Sequence, residues 1–325
     1  MFLKDDGVSA KLYGGNKVRK LEFLIAEALQ AGARAVITFG YAGSNHAAAT
    51  AVYAREAGLQ AISMLLPQPN ASYVRRNLLV GLAAGAELHE FSSLAALTAA
   101  TALRLARARI QTGRMPYVIP PGGSSPTGTL GYVNAAFELD RQITVGDIPE
   151  PERIYIALGS SGSVAGLLIG LAALRRRTRV IAVRVVAERW ASTASVRRLF
   201  GRTVRLLREK DPSFPRLAFP ADRLVVRGEF FGTGYAEFSE AGANALRLTR
   251  EQEGLSLDGS YTAKTVAALI ADCGNSSAAP GPILFWNTYN SRDLGPLTAG
   301  TDPSRLPPRL RRYFETPLQP LDQNA

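Results

Sequence analysis

The stretch LYGGNKVRKLEFL, residues 12–24, holds the side chain best suited to covalent chemistry in this chain. There are six lysines against 32 arginines, and three of the six, Lys11, Lys17 and Lys20, fall within ten positions. Arginine keeps its charge permanently, whereas lysine can lose a proton and attack a carbonyl. Lys17 follows a Gly-Gly-Asn turn and precedes a pattern that puts Val18, Leu21, Leu24 and Ile25 on one helical face. Packing of that face would hold Lys17 at the rim of a cleft. Taken alone, the loop is better explained as a surface lysine after a turn.

Other loops rich in small and polar residues follow apolar runs. In GYAGSNH (40–46), Ser44 and Asn45 stand where a helix would be capped, and exposed amides there favour a carboxylate. In ALGSSGSVAGL (157–167), glycines and serines between an apolar run and an apolar helix form a nest for a phosphate. Ser161 replaces the second glycine of a dinucleotide fingerprint and no Walker lysine follows, so a phosphate monoester suits the loop better. Tyr235 and Tyr261 sit in the glycine-rich turns FFGTGYAEF (230–238) and LDGSYTAKT (257–265), and PGGSSPTGTLGY (121–132) is a further polar loop. Each tyrosine alone is more readily a packing residue. Together the loops ask for one ligand with a phosphate, a carboxylate and an amine-reactive aldehyde. Pyridoxal phosphate with an amino acid meets that demand.

The elements that must position these loops alternate. Strands are expected at 35–39, 61–66, 116–120, 153–159, 179–186, 223–230 and 282–288. Helices are expected at 46–58, 73–85, 92–113, 129–143, 163–177, about 239–253 and 262–272. This βαβ order predicts an α/β protein with parallel sheets wrapped by helices, where ligands bind at the carboxyl ends of strands. The 325 residues exceed what one core usually serves. A small α/β domain is expected over 21–130 and a large cofactor-binding domain over 1–20 plus 131–300. The tail, 301–325, has five prolines and reads as an extended or partly disordered arm.

Composition narrows the rest. One cysteine, Cys273, excludes a disulfide within the chain, and MFLKDDGVSA is no signal peptide, so a cytoplasmic protein is expected. The longest apolar run, 164–174, is too short to span a bilayer. Two distant histidines, His46 and His89, argue against a metal centre. The net charge is +11, and arginines cluster at 175–179 and 189–216, read as a solvated helical face. No nucleic-acid motif accompanies it, so no nucleic-acid partner is expected, and the charge would draw anions toward a cleft.

GGNKVRKLEFL, GSNH, PPGGSSPTGTLGYVNAAFEL and GLSLDGSYTAKTVAALI resemble the 1-aminocyclopropane-1-carboxylate deaminase and D-cysteine desulfhydrase family of pyridoxal-phosphate enzymes, of the tryptophan synthase β-like fold (fold type II). The resemblance runs from about residue 2 to 290. It implies that Lys17 binds the cofactor aldehyde and later shuttles the α-proton. It places Asn45 on the cofactor's phenolic oxygen, Ser44 on the substrate carboxylate and His46 beside them. Ser160, Ser161, Gly162 and Ser163 would bind the phosphate, Tyr235 and Tyr261 would act as acid or base near the substrate, and Thr262 and Thr288 would lie near the pyridine ring.

In the cyclopropane deaminases a glutamate takes the place of Thr262, so the threonine tilts this reading to β-elimination from a small amino acid such as D-cysteine, giving a keto acid and ammonia. A homodimer is implied. Alternatives are cyclopropane ring opening, racemisation, β-replacement, or a non-catalytic protein on the same fold. Three departures stand out. Roughly thirty residues that the family places ahead of FLKDDG are expected to be missing. LDGSYTAK replaces the commoner DPVYTGK, and Tyr289 stands where a glycine usually follows the threonine, so its ring is expected to narrow the pocket.

Overall fold

A computed structural model describes residues 1–274 and 281–323. Its elements in chain order are β1 (Phe2–Asp5), α1 (Asn16–Gln30), β2 (Ala35–Tyr41), α2 (Asn45–Glu56), β3 (Gln60–Leu66), α3 (Ser72–Ala83), β4 (Glu87–Glu90) and α4 (Leu94–Thr112). There follow β5 (Tyr117–Ile119), α5 (Pro126–Thr144), β6 (Arg153–Leu158), α6 (Gly162–Ala173), β7 (Arg179–Arg184), α7 (Thr193–Lys210) and β8 (Leu224–Arg227). The chain closes with α8 (Glu240–Glu253), α9 (Thr262–Cys273), β9 (Ile283–Asn287), α10 (Gly295–Thr298), α11 (Pro308–Glu315) and α12 (Pro320–Gln323).

The strands form two sheets, and every pairing is parallel. One has the order β4-β3-β2-β5, the other β1-β9-β6-β7-β8. Both are apolar on both faces, as helix-covered parallel sheets must be. In the smaller sheet, Val36 and Ala61 pack with Leu21 and Leu24 of α1 and Val52 of α2, while Ile37, Ile62 and Met64 meet Leu97 of α4. In the larger, Ile154, Ile156 and Leu158 alternate with Tyr155. The first three pack among helices α5, α6 and α7, and Tyr155 packs against α8 and α9.

Both sheets reverse their strand order. The smaller runs β2 to β4 outward and then returns to place β5 on the other side of β2. The larger runs β6 to β8 and returns to place β9 beside β6. Ligands gather at such switch points, beyond the carboxyl ends of the strands. The loops after β2, β5 and β6 are among the polar ones singled out from sequence.

Local chemistry explains most boundaries. Ser93, Ser125, Ser192 and Ser239 each accept a backbone amide at a helix start. The Ser125 cap and Pro126 start α5 three residues ahead of its expected start at 129. The arginine-rich segment is α7. It buries Val196, Leu199, Phe200 and Val204 and leaves Arg197, Arg198, Arg202 and Arg205 in solvent. Strand β8 stops at Arg227, and Gly228 follows it where a Cβ would lie 2.4 Å from the Arg184 guanidinium. The expected domain boundary at 21 falls inside α1.

The tail corrects its expectation. Residues 301–323 are ordered and packed, while 324–325 lie outside the described residues. Leu306, Leu310 and Tyr313 are buried against Val74 and Leu78 of α3. Arg75 Nε donates to the Tyr313 carbonyl at 2.7 Å, and Gln319 Oε1 accepts from the Phe238 amide at 2.9 Å, tying the tail to the loop that carries Tyr235. The five prolines conceal a helical spacing of three apolar residues, and Pro308 sits at the first turn of α11, where its missing N–H costs nothing. Among the described residues no helix is long and apolar enough to cross a membrane. Leu310→Ala should lower unfolding stability by about 2–5 kcal/mol, read from the shift of a urea midpoint.

Candidate active site

Lys17 is the second residue of α1, and the turn before it determines where its side chain goes. Gly15 has φ of 85° and carries no capping side chain. The Gly15 amide donates instead to the Asp6 carbonyl at 2.6 Å, the Asn16 amide to the Thr288 carbonyl at 3.0 Å, and the Gly14 amide to Asn290 Oδ1 at 2.5 Å. A Cβ at Gly14 would lie 1.8 Å from the Gly7 carbonyl oxygen, so the turn tolerates no side chain there. Asp6 is fully buried and held by Arg19 Nε at 2.8 Å and the Tyr132 hydroxyl at 2.6 Å.

The Lys17 amine has no hydrogen-bond partner among the described residues, and it lines a cavity of about 980 Å³. Burial lowers its pKa to about 8, against a weaker opposing pull from Asp258. The positive end of the α1 dipole acts in the same direction as burial. Lys20, one turn on, is also buried and donates to the Gly122 carbonyl at 3.1 Å and Ser124 Oγ at 3.3 Å. Burial and the nearby Lys17 push its pKa well down.

The loop after β6 wraps around that second amine. Ser160 and Ser124 share a 2.7 Å hydrogen bond, and the Gly162 amide donates to Ser124 Oγ at 3.2 Å. A Cβ at Gly162 would come within 2.6 Å of Ser124 Oγ and 2.9 Å of Lys20 Nζ. The Ser161 hydroxyl turns away to Ser195 at 2.8 Å, and Ser163 Oγ accepts from Asn16 at 3.2 Å. Of these two serines, the loop therefore offers backbone more than hydroxyl. All four residues, 160 to 163, line the cavity.

From the smaller sheet come Ser44, Asn45 and His46. Ser44 Oγ caps α2 by accepting the Ala47 amide at 3.1 Å, the structural role its position suggested. Asn45 Oδ1 accepts from Asn77 Nδ2 at 2.7 Å, which turns its own amide group toward the cavity it lines. Both ring nitrogens of His46 are buried without partners, and burial with the two lysines nearby keeps the imidazole neutral.

Tyr235 and Tyr261, 26 residues apart in sequence, meet with hydroxyls 2.6 Å apart on the cavity wall. Burial raises both pKa values, so both are phenols at neutral pH. Thr288 lines the cavity at the end of β9. Thr262 does not. Its hydroxyl donates to Asp258 Oδ2 at 3.1 Å and accepts the Asp258 amide at 2.9 Å. Asp258 itself lines the cavity, its carboxylate taking the Tyr261 amide at 2.6 Å and the Ser260 amide at 3.0 Å. Nor does Tyr289 narrow the pocket. Its hydroxyl accepts from Arg76 and its ring lies outside the cavity wall.

A family model described as pyridoxal-phosphate dependent enzyme matches residues 1–288. The chain belongs to that family. It is 33% identical over 296 residues to the D-cysteine desulfhydrase of Klebsiella pneumoniae, covering 89% of this chain and 86% of that protein. The enzyme of the same name from Salmonella choleraesuis is 34% identical over the same lengths. A solved structure described as an ACC deaminase homologue superposes with a TM-score of 0.74 at 32% identity, covering 88% of this chain and 83% of its own. Maize serine racemase, at 15% identity and a TM-score of 0.58, shares the fold.

The site fits pyridoxal phosphate on its own geometry. It offers an unpartnered amine at Lys17, a glycine cradle at Gly162 facing a buried cation, and orphaned imidazole nitrogens at His46. Sequence reasoning passed over Lys20, Ser124 and Asp258. Lys20 lies three residues past Lys17 on the same helix, so the i, i+3 spacing was the available signal. Because the free amine is the reactive form, the rate at which apoprotein takes up pyridoxal phosphate covalently should rise about tenfold per pH unit below pH 8 and level off above it. Stopped-flow absorbance of the bound cofactor checks this.

Proposed function

We propose that this enzyme catalyses β-elimination from a small amino acid of the D-cysteine kind, releasing a keto acid and ammonia. The observation that carries the reading is the unpartnered Lys17 amine sharing one cavity with the Tyr235–Tyr261 pair. A base and a pair of protonated phenols then line the same substrate space. The names of the D-cysteine desulfhydrase relatives support the substrate class.

When bound, pyridoxal phosphate supplies an aldehyde that takes up an amine and a ring that withdraws electrons from the substrate's α-carbon. The chain's residues do the rest. Lys20 and the amides of residues 160–163 would hold the phosphate, with Ser124 orienting both. Asn45 would donate to the phenolic oxygen, and Thr288 would face the ring. Ser44 and the first amides of α2 receive the substrate carboxylate, with neutral His46 beside it. Lys17 Nζ would hold the cofactor aldehyde and, when free, would take the proton from the substrate's α-carbon. Tyr261, backed by Tyr235, gives a proton to the leaving sulfur. Thr262 acts at one remove, holding Asp258 in place. We take the enzyme to be a cytoplasmic homodimer of chains with a small domain over 21–130 and a large one formed by 1–20 and 131–300.

Lys17→Arg should retain the fold by circular dichroism, leave no borohydride-trapped cofactor peptide and abolish keto-acid release. Tyr261→Phe should keep the bound-cofactor absorbance and lower kcat about 10²-fold. Lys20→Met should release cofactor on dialysis that the parent protein retains. Turnover of 1-aminocyclopropane-1-carboxylate with none of D-cysteine would overturn the assignment in favour of ring opening.

A further inference from the structure

The tail lies beyond residues 1–288, the part of the chain that the family model matches, and it reaches the loop that carries Tyr235. One side chain makes the contact. Gln319 Oε1 accepts from the Phe238 amide at 2.9 Å, and Gln319 Nε2 donates to the Ala236 carbonyl at 3.1 Å. A donor and an acceptor on either side of residue 237 are what the peptide group of a parallel strand would present. The Gln319 carboxamide therefore stands in for a neighbouring strand along backbone that has none. The segment 228–239, between β8 and α8, contains no helix or strand. Among the described residues, its internal backbone bonds are those of the Phe231 amide to the Gly228 carbonyl at 3.2 Å and of the Glu237 amide to the Gly234 carbonyl at 3.4 Å. Lys264 Nζ holds the first half of the segment by donating to the Phe231 carbonyl at 2.5 Å. Gln319 holds the second half, where Ala236 has φ of 63°, a left-handed conformation that alanine rarely adopts.

The tail is itself fixed beside the smaller sheet. The Gln319 amide donates to the Asn70 carbonyl at 3.0 Å, and Asn70 Nδ2 donates to the carbonyls of Tyr313 at 2.8 Å and Thr316 at 2.9 Å. The Asp322 carboxylate accepts the Ser72 amide at the start of α3, a helix with no capping side chain of its own, and the Ser72 hydroxyl at 3.1 Å. The tail thus spans from the loop after β3 to the loop after β8. We propose that Gln319 is a positioning residue for the reaction: by holding the backbone at 236–238 it sets the Tyr235 hydroxyl against Tyr261. The proposal rests on the β-elimination reading, in which that pair protonates the leaving sulfur. It adds a residue that acts through Tyr235 and does not itself line the cavity.

Placement of the Tyr235 hydroxyl needs such an anchor. Its ring meets the Tyr41 ring with centroids 4.3 Å apart, an apolar contact that does little to fix direction. The hydroxyl bond to Tyr261 is 2.6 Å long, and a displacement of about 1 Å would break it. The residue next to Tyr235 is the one whose carbonyl Gln319 holds. The rival reading gives the tail a purely stabilising role, through burial of Leu306, Leu310 and Tyr313. The two readings differ in what loss of Gln319 does to the folded enzyme. A brace that only stabilises lowers the unfolding midpoint and leaves turnover by folded molecules intact, whereas a positioning residue changes the rate through one particular hydroxyl.

The test uses the holoenzyme with D-cysteine, following pyruvate. Gln319→Leu keeps the bulk of the side chain and removes both bonds. It should lower kcat about tenfold, change KM by less than about twofold and leave the bound-cofactor absorbance unchanged. The decisive comparison is a cycle with Tyr235→Phe. In that background the hydroxyl to be positioned is gone, and Gln319→Leu should change kcat by less than about twofold. Hydrogen exchange of the holoenzyme, read by mass spectrometry, should show segment 232–238 exchanging about tenfold faster in Gln319→Leu, with segment 159–165 unchanged. Gln319→Glu keeps the acceptor for the Phe238 amide and loses the donor to Ala236. It should give a smaller loss of kcat that also disappears beside Tyr235→Phe, and it carries the cycle if Gln319→Leu fails to fold. A kcat loss of equal size in both backgrounds overturns the proposal. So does an unchanged kcat, whether or not the urea midpoint falls, and so does a Tyr235→Phe enzyme as fast as its parent. If the parent enzyme releases no pyruvate, the β-elimination reading fails and exchange alone decides. Faster exchange at 232–238 then supports Gln319 as the anchor of the tyrosine loop, and unchanged exchange overturns it.

Discussion

Catalytic geometry in this protein depends on a clamp on the three residues ahead of Lys17. Helix α1 has no capping side chain, and the amides leading into it are answered by Asn290 and the Thr288 carbonyl from the far end of the chain and by the Asp6 carbonyl near its start. An amide buried without a partner is costly, so these bonds are strongly preferred once the turn is enclosed. They fix the direction in which α1 leaves the end of β9, and therefore where the Lys17 amine projects. The Asp6 carboxylate, paired to Arg19 and Tyr132, anchors the other side of the same turn. Lys17 thus stands on the smaller sheet's first helix while its position is dictated by the larger sheet.

The electrostatics follow from that placement. Two amines lie one helical turn apart at the positive end of a helix, and the charge on Lys17 opposes that on buried Lys20. Among the described residues lining the cavity, Asp258 is the only carboxylate, and it is already occupied by two backbone amides and the Thr262 hydroxyl. The site therefore favours an anionic guest near Lys20 and leaves Lys17 easy to deprotonate. A phosphate at one amine and an aldehyde at the other answer both conditions. The chain's positive charge matters here through Lys17 and buried Lys20 rather than through the exposed arginines of α7.

Much of this architecture is legible in the residues alone. Strands and helices are readable because parallel sheets demand short apolar runs and their covering helices demand a 3.6-residue stripe. The loops at the strand ends announce themselves by glycine, serine and asparagine. A boundary that slips does so for a local reason, the Ser125–Pro126 start of α5. The tail hides its order because proline content speaks only of local stiffness, whereas burial of Leu306, Leu310 and Tyr313 depends on a surface of α3 that lies more than two hundred residues earlier.

Fold class, the family, the candidate lysine and the glycine–serine loop at 160–163 are all written in residues close together along the chain, so the linear order of side chains was enough to mark them out. Three-dimensional packing alone settled which distant side chains share the cavity. It paired Tyr235 with Tyr261, set Lys20 and Ser124 against the loop at 160–163, put Asp258 rather than Thr262 on the wall, and kept the Tyr289 ring off it. The physical reason is that these relations come from two sheets reversing their strand order at a common cleft, and no local pattern of residues encodes which strand ends will meet.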